Sequence, residues 1–152
     1  MKNFLLSMAI SGFSVMAVQA QESRNELLSA YYQLKDVLVQ GNAKKAAEQA
    51  GYFIKLVNQS PLNEIKPFKD ALLKDAGKIA ASADINSQRK DFAPFSNTMI
   101  LFAKAAKLDN QAIYVDYCPM KKTYWLSADK AIKNPYYGAT MLTCGSITDT
   151  LQ

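Results

Sequence analysis

The stretch Tyr114 to Gly145 reads YVDYCPMKKTYWLSADKAIKNPYYGATMLTCG, and it divides the chain into two kinds of sequence. It holds both cysteines, the only tryptophan, two of the six methionines and five of the eight tyrosines. From Ala112 to Cys118 the pattern alternates. Ile113, Val115 and Tyr117 fall on one face and Tyr114, Asp116 and Cys118 on the other, which is the period of a strand. Thr123 to Leu126 is also β-prone, so Pro119 to Lys122 reads as the bend of a small hairpin. A lone hairpin is marginal in water, so it must lie against something larger. Ser127 is placed to cap a short turn through Ile132, and Asn134-Pro135-Tyr136-Tyr137-Gly138 is turn chemistry.

The larger body lies upstream and reads as helices. Leu27, Tyr31, Leu34 and Leu38 recur at helical spacing between Glu22 and Gln40. Gly41 suits a left-handed helix end and Asn42 the cap of the next helix. That second helix runs from Ala43 to Asn58, with Ala43, Ala47, Ala50, Ile54 and Val57 on its inner side. The link of two residues makes the pair an antiparallel hairpin. Gln59-Ser60-Pro61 breaks the pattern. A third helix is expected over Pro67 to Ala81, with Phe68, Leu72, Ala76 and Ile79 facing in. Asp84 caps a fourth, whose stripe is Ile85, Phe92, Phe95, Met99, Phe102 and Ala106. Pro94 inside it predicts a kink, not a break, because the apolar period keeps its phase on both sides. The fold expected is mainly α: an antiparallel four-helix bundle with a small C-terminal β-hairpin and irregular segment packed on it.

The N-terminus narrows the setting. Met1-Lys2-Asn3 is basic, Phe4 to Val18 is mostly apolar, and Val18-Gln19-Ala20 has the small residues a signal peptidase reads. Residues 1–20 are therefore expected to be a cleaved signal peptide that delivers a soluble periplasmic protein, not a lipoprotein, because no cysteine follows the apolar run. Residues 21–152 then form one domain, with a helical bundle over 22–107 and the terminal segment over 112–145. No later stretch is apolar enough to span a membrane. The formal net charge of +5 comes with lysines scattered along the helices, so nucleic acid is not an expected partner.

Histidine is absent. Triad hydrolysis, Cys-His catalysis and imidazole-bound zinc are thereby excluded. Two cysteines far apart in sequence also exclude Cys-x-x-Cys chemistry and four-thiolate zinc. No catalytic residues are assigned and no enzymatic activity is expected. Asp116 and Asp129 read as solvated carboxylates in a chain with 13 acidic residues, and Lys121-Lys122 as a solvated hairpin tip.

The sulfur-bearing residues support two readings. Cys118 and Met120 are two apart, on one face of an extended strand. Met141 and Cys144 are three apart, on one face of a helical turn. If the pairs meet, Cys118, Met120, Met141 and Cys144 make a thiolate and thioether site that favours Cu(I) or Ag(I), shielded by Trp125 through a cation–π contact. In an oxidising compartment, however, two cysteines commonly pair. A Cys118–Cys144 disulfide would close a loop of about 26 residues and contribute roughly 3.5 kcal/mol on the chain-entropy relation. Spacing alone leaves both open.

Tyr31-Tyr32, Leu34-Lys35, Gly41-Asn42-Ala43, Gln88-Arg89, Phe92-Ala93-Pro94, Ser96, Tyr117-Cys118-Pro119-Met120, Trp125-Leu126-Ser127, Asn134-Pro135-Tyr136-Tyr137-Gly138 and Met141-Leu142-Thr143-Cys144-Gly145 resemble a known family. It is the "domain of unknown function 3347" family of Bacteroidetes-type envelope proteins, and the resemblance covers about Leu28 to Gly145. Similar domains occur attached to periplasmic adaptors of heavy-metal efflux pumps. The resemblance implies a setting of copper or silver efflux, with an adaptor or other envelope protein as partner. It brings no catalytic residues. If the disulfide is permanent, the expected role is that of an interaction module whose partner surface is formed by Tyr136 and Tyr137.

Overall fold

In the computed structural model, residues 11–108 and 111–151 are described, with side chains from Val18 onward. Residues 1–10 of the expected signal peptide lie outside the described residues. Among the described residues four helices come first: α1 (Ser11–Gln40), α2 (Ala43–Gln59), α3 (Lys69–Ala81) and α4 (Ile85–Ala106). Three strands follow, β1 (Ile113–Cys118), β2 (Thr123–Ser127) and β3 (Ser146–Leu151). None of the described helices is long and apolar enough to cross a membrane.

The helices form where capping and periodicity place them. Leu27, Tyr31, Leu34 and Leu38 of α1 are all buried. Gly41, at φ +76°, turns the chain, and the Asn42 side chain accepts the Lys45 amide at 3.0 Å to start α2. The Asp84 carboxylate accepts the Ser87 amide at 2.7 Å to start α4, whose Phe92, Phe95, Met99, Phe102 and Ala106 are buried. Pro94 lies within that helix without ending it.

Two details of the sequence reading are corrected. The inner row of α2 is Ala46, Ala50, Phe53 and Val57, turned from the small-residue row by about one position. Phe53 sets the rotation, since its ring meets Phe95 edge-on at 4.9 Å and an aromatic ring brings more apolar area than Ala43 or Ala47. Helix α3 begins at Lys69, not Pro67, because a 3-10 turn over Asn63–Ile65 precedes it and the Ile65 carbonyl accepts the Phe68 amide. Along the chain, α1 packs on α2, α2 on α3, α3 on α4, and α4 against β2. Buried Gln88 ties three of them together, donating to the Ser82 carbonyl at 2.7 Å and the Ala43 carbonyl at 2.9 Å.

The expected hairpin is part of a three-stranded antiparallel sheet of order β2-β1-β3. The strand missed by the sequence reading is Ser146–Leu151, which pairs along β1 with one irregularity between Val115 and Asp116. Its signal is weak because the strand is exposed along nearly its whole length, so its alternation is not driven by burial. Its presence makes β1 the central strand. Helices and sheet are joined by Tyr31, whose fully buried hydroxyl bonds Ser96 of α4 at 2.6 Å and accepts the Leu126 amide of β2 at 2.9 Å.

Candidate functional site

Strand pairing puts the chemistry on one face of the sheet. Across β1 and β2, Asp116 stands opposite Trp125 and Cys118 opposite Thr123, so all four side chains leave the same side of the pleat. The chain from Asn134 to Gly145 covers that face. Tyr136 meets the Trp125 ring edge-on at 6.0 Å and Phe92 of α4 at 5.8 Å. Its hydroxyl donates to the Tyr124 carbonyl.

Asn134 holds this cover in place. Its side-chain oxygen accepts the Tyr136 amide at 2.8 Å, and its backbone carbonyl accepts the Gly138 amide at 2.9 Å. Its own backbone amide donates to Leu142 at 2.8 Å. The side-chain amide then donates twice, to the Cys144 carbonyl at 2.6 Å and to the Cys118 sulfur at 3.2 Å. One fully buried asparagine therefore ties the Cys144 loop to the end of β1.

Two glycines allow the close approach. Gly138, at φ +57°, lies where a Cβ would come within 2.6 Å of the Val39 carbonyl at the end of α1. There the Arg89 guanidinium donates to the Leu38 carbonyl at 2.8 Å. At Gly145 a Cβ would come within 2.7 Å of the Trp125 ring and 3.0 Å of the Tyr117 carbonyl. Glycine lets backbone sit directly on the indole.

This arrangement brings the two cysteines together. Both are free thiols; Cys118 is buried and Cys144 half-buried. Burial pushes the Cys144 thiol up from its ordinary pKa, and Cys118 adds to this through its charge and a thiol–thiol hydrogen bond. The methionines are placed differently. Met120 is 62% exposed at the bend between β1 and β2. Met141 is half-buried at the end of a 3-10 turn, Gly138–Met141, and its carbonyl accepts the Cys144 amide at 3.1 Å. Trp125 is fully buried beneath Gly145. Tyr136 is also a core residue, 5% exposed, so only Tyr137 of the expected partner surface reaches solvent. The Lys121 ammonium lies 5.0 Å from the centre of the Tyr137 ring.

Sequence reasoning missed Asn134 as an organising residue and misplaced Asp116. Asp116 is fully buried, not solvated, because β3 and the terminal segment enclose β1. Its alternation in phase with Cys118 was the available signal. Both its carboxylate oxygens lack hydrogen-bond partners, as do Thr123 Oγ1 and Trp125 Nε1. Burial raises the Asp116 pKa to about 6, against a weaker opposing pull from Lys35. Among the described residues, no three His, Cys, Asp or Glu side chains are grouped to hold a metal ion. The chemistry on offer is that of a paired dithiol.

A family model described as "Protein of unknown function (DUF3347)" matches residues 27–111, more than half of the chain. The matched residues run from within α1 through α4 to the approach to β1. No curated protein and no solved structure matches the chain.

Proposed function

We propose, from the premise that this chain belongs to the DUF3347 family of unknown function, that it is a non-enzymatic binder of a soft monovalent metal ion. The observation that supports this is the unbonded thiol pair of Cys118 and Cys144, held in contact under Asn134. Two thiolates without nitrogen or carboxylate ligands suit Cu(I) or Ag(I) and do not suit harder cations. Binding would release the thiol protons. Met141, one turn before Cys144, is the thioether we assign beside the pair. Met120, exposed at the bend, would join from the solvent side, with Trp125 as the inner wall. In this reading the four helices form an antiparallel bundle that serves as the platform. The setting is the periplasm, reached through the signal of residues 1–20, and the partner is an adaptor of heavy-metal efflux.

The test is native mass spectrometry of the mature protein, as isolated and then after reduction and one equivalent of Cu(I) under argon. One retained copper ion, lost in Cys118→Ser and Cys144→Ser, is the expected result. No adduct on the reduced protein would overturn the proposal. The same thiol contact also favours a second reading, a permanent disulfide in an envelope interaction module. Its docking surface would centre on Tyr137 and Lys121, since Tyr136 is buried. An oxidised mass as isolated, with a pull-down weakened by Tyr137→Ala and indifferent to metal, would favour that reading.

A further inference from the structure

We infer that Cys118 and Cys144 form an exchange-active dithiol with a fixed order of attack: Cys144 is the sulfur that meets a small disulfide, and Cys118 is the resolving sulfur. This activity rests on the same thiol contact as the metal reading but requires no metal.

Three observations carry it. Cys118 is fully buried at the end of β1, whereas Cys144 is half-buried in the covering loop. An attacking thiol needs access to its target, so a disulfide arriving from solvent can be met only by Cys144. The two thiols are within hydrogen-bonding reach of each other yet unbonded, so a group placed on Cys144 lies beside a second nucleophile. Such proximity makes the second step effectively unimolecular. Finally, the Asn134 amide bonds both the Cys118 sulfur and the Cys144 carbonyl. It fixes one sulfur relative to the loop that carries the other, which makes it a positioning residue.

The chemistry balances without any further reactant. Cys144 gives its proton to solvent, and its sulfur attacks one sulfur of a low-molecular-weight disulfide RSSR. The Cys144–SR bond forms, the RS–SR bond breaks, and RS⁻ leaves and takes up a proton. The Cys118 sulfur then attacks the Cys144 sulfur. The Cys118–Cys144 bond forms, the Cys144–SR bond breaks, and a second RS⁻ leaves with the proton from Cys118. The protein dithiol loses two electrons and RSSR gains them, giving two RSH. The reverse sequence, with RSH in excess, regenerates the dithiol. Metal and disulfide use the same two sulfurs, so oxidation excludes the ion.

The experiment uses the reduced full chain with excess oxidised glutathione and a chelator, with acid-quenched samples read by mass spectrometry. The wild type should close to the internal disulfide without accumulating a mixed disulfide. Cys118→Ala should stop at one glutathione adduct on Cys144. Cys144→Ala should react at Cys118 at least about tenfold more slowly, because accessibility limits a buried thiol. In denaturant the two variants should react alike, which assigns the difference to the fold. Asn134→Ala should accumulate the Cys144 adduct while its far-ultraviolet circular dichroism stays that of the wild type.

Equal rates for the two single-cysteine variants in the folded state would overturn the order of attack. A wild-type adduct that fails to close would overturn the exchange activity. If a variant does not fold, peptide mapping of the earliest wild-type adduct decides the order by itself: Cys144 supports it and Cys118 overturns it. Exchange without copper binding would sink the metal reading alone. Copper binding without closure would sink the exchange reading alone.

Discussion

Replacing Asp116 by asparagine tests the least comfortable feature of the site. The carboxylate is fully buried, neither oxygen has a hydrogen-bond partner, and burial raises its pKa from 3.8 to about 6. The folded state therefore holds the proton more tightly than the unfolded chain does. The stabilisation this brings is fully present below about pH 4 and is lost as pH rises through about 6. A shift of roughly two units corresponds to about 3 kcal/mol. The wild type should lose that amount between about pH 4 and about pH 7, and Asp116→Asn should not. Other carboxylates act with the opposite sign. Backbone and side-chain bonds from Ser87 lower the Asp84 pKa, and Lys104 lowers that of Asp149. Both lose their contribution as pH falls, so the informative quantity is the difference between wild type and variant. Urea unfolding of both proteins at the two pH values, with equal slopes, gives it directly. Parallel pH profiles, or a variant less stable than wild type at neutral pH, would refute the assignment of Asp116 as a buried carboxylate without a partner.

Three further outcomes are expected. Tyr31→Phe removes the hydroxyl that bonds Ser96 and accepts the Leu126 amide; leaving that buried amide unpaired should cost about 1–3 kcal/mol in urea unfolding, and a change below about 0.5 kcal/mol would deny that this contact joins helices to sheet. Gly138→Ala should destabilise by more than about 1 kcal/mol, because φ is +57° and a Cβ would crowd the Val39 carbonyl; Gly51→Ala and Gly77→Ala, with open space at the Cβ, should be neutral or stabilising by up to about 1 kcal/mol, and calorimetry that ranks them otherwise would contradict the packing described. Closing Cys118–Cys144 should raise stability by roughly 3.5 kcal/mol on the chain-entropy relation. Comparing unfolding with and without reductant reads this, and a loss on oxidation would mean that the bond strains the loop held by Asn134.

The helices were legible because their signals are local. Asn42 and Asp84 cap where an asparagine and an aspartate should, and the α4 stripe from Phe92 to Ala106 is buried as its spacing requires. The row on α2 was misread by one position because small residues outnumber Phe53 there, yet the one aromatic outweighs them. Strand β3 was invisible for the converse reason. An exposed strand whose partner is already a strand is specified by backbone bonds, not by apolar alternation. The site suffered from the same blindness to distance. Cys118 and Cys144 could be named from composition, but their meeting depends on Asn134 bonding across 16 and 10 residues. No periodicity announces such a bond. Tyr136 looked like surface because it sits in turn chemistry, and it is buried because the turn folds back over Trp125.

Three helical residues that hold the covering segment and the sheet, Tyr31, Phe92 and Arg89, fall within the matched range 27–111. Tyr31 holds β2, Phe92 meets Tyr136, and Arg89 satisfies the end of α1 where Gly138 settles. Each is a specific contact of the helices with the layer that carries the thiols. The geometry of the dithiol is therefore set from two sides. Asn134 fixes the loop to β1 from within the terminal segment, and the helices fix the height of that segment above the sheet. Substitution at Arg89 or Phe92 would loosen the cover over Cys118 without altering either cysteine. It would act on access to the site before it acted on the chemistry there.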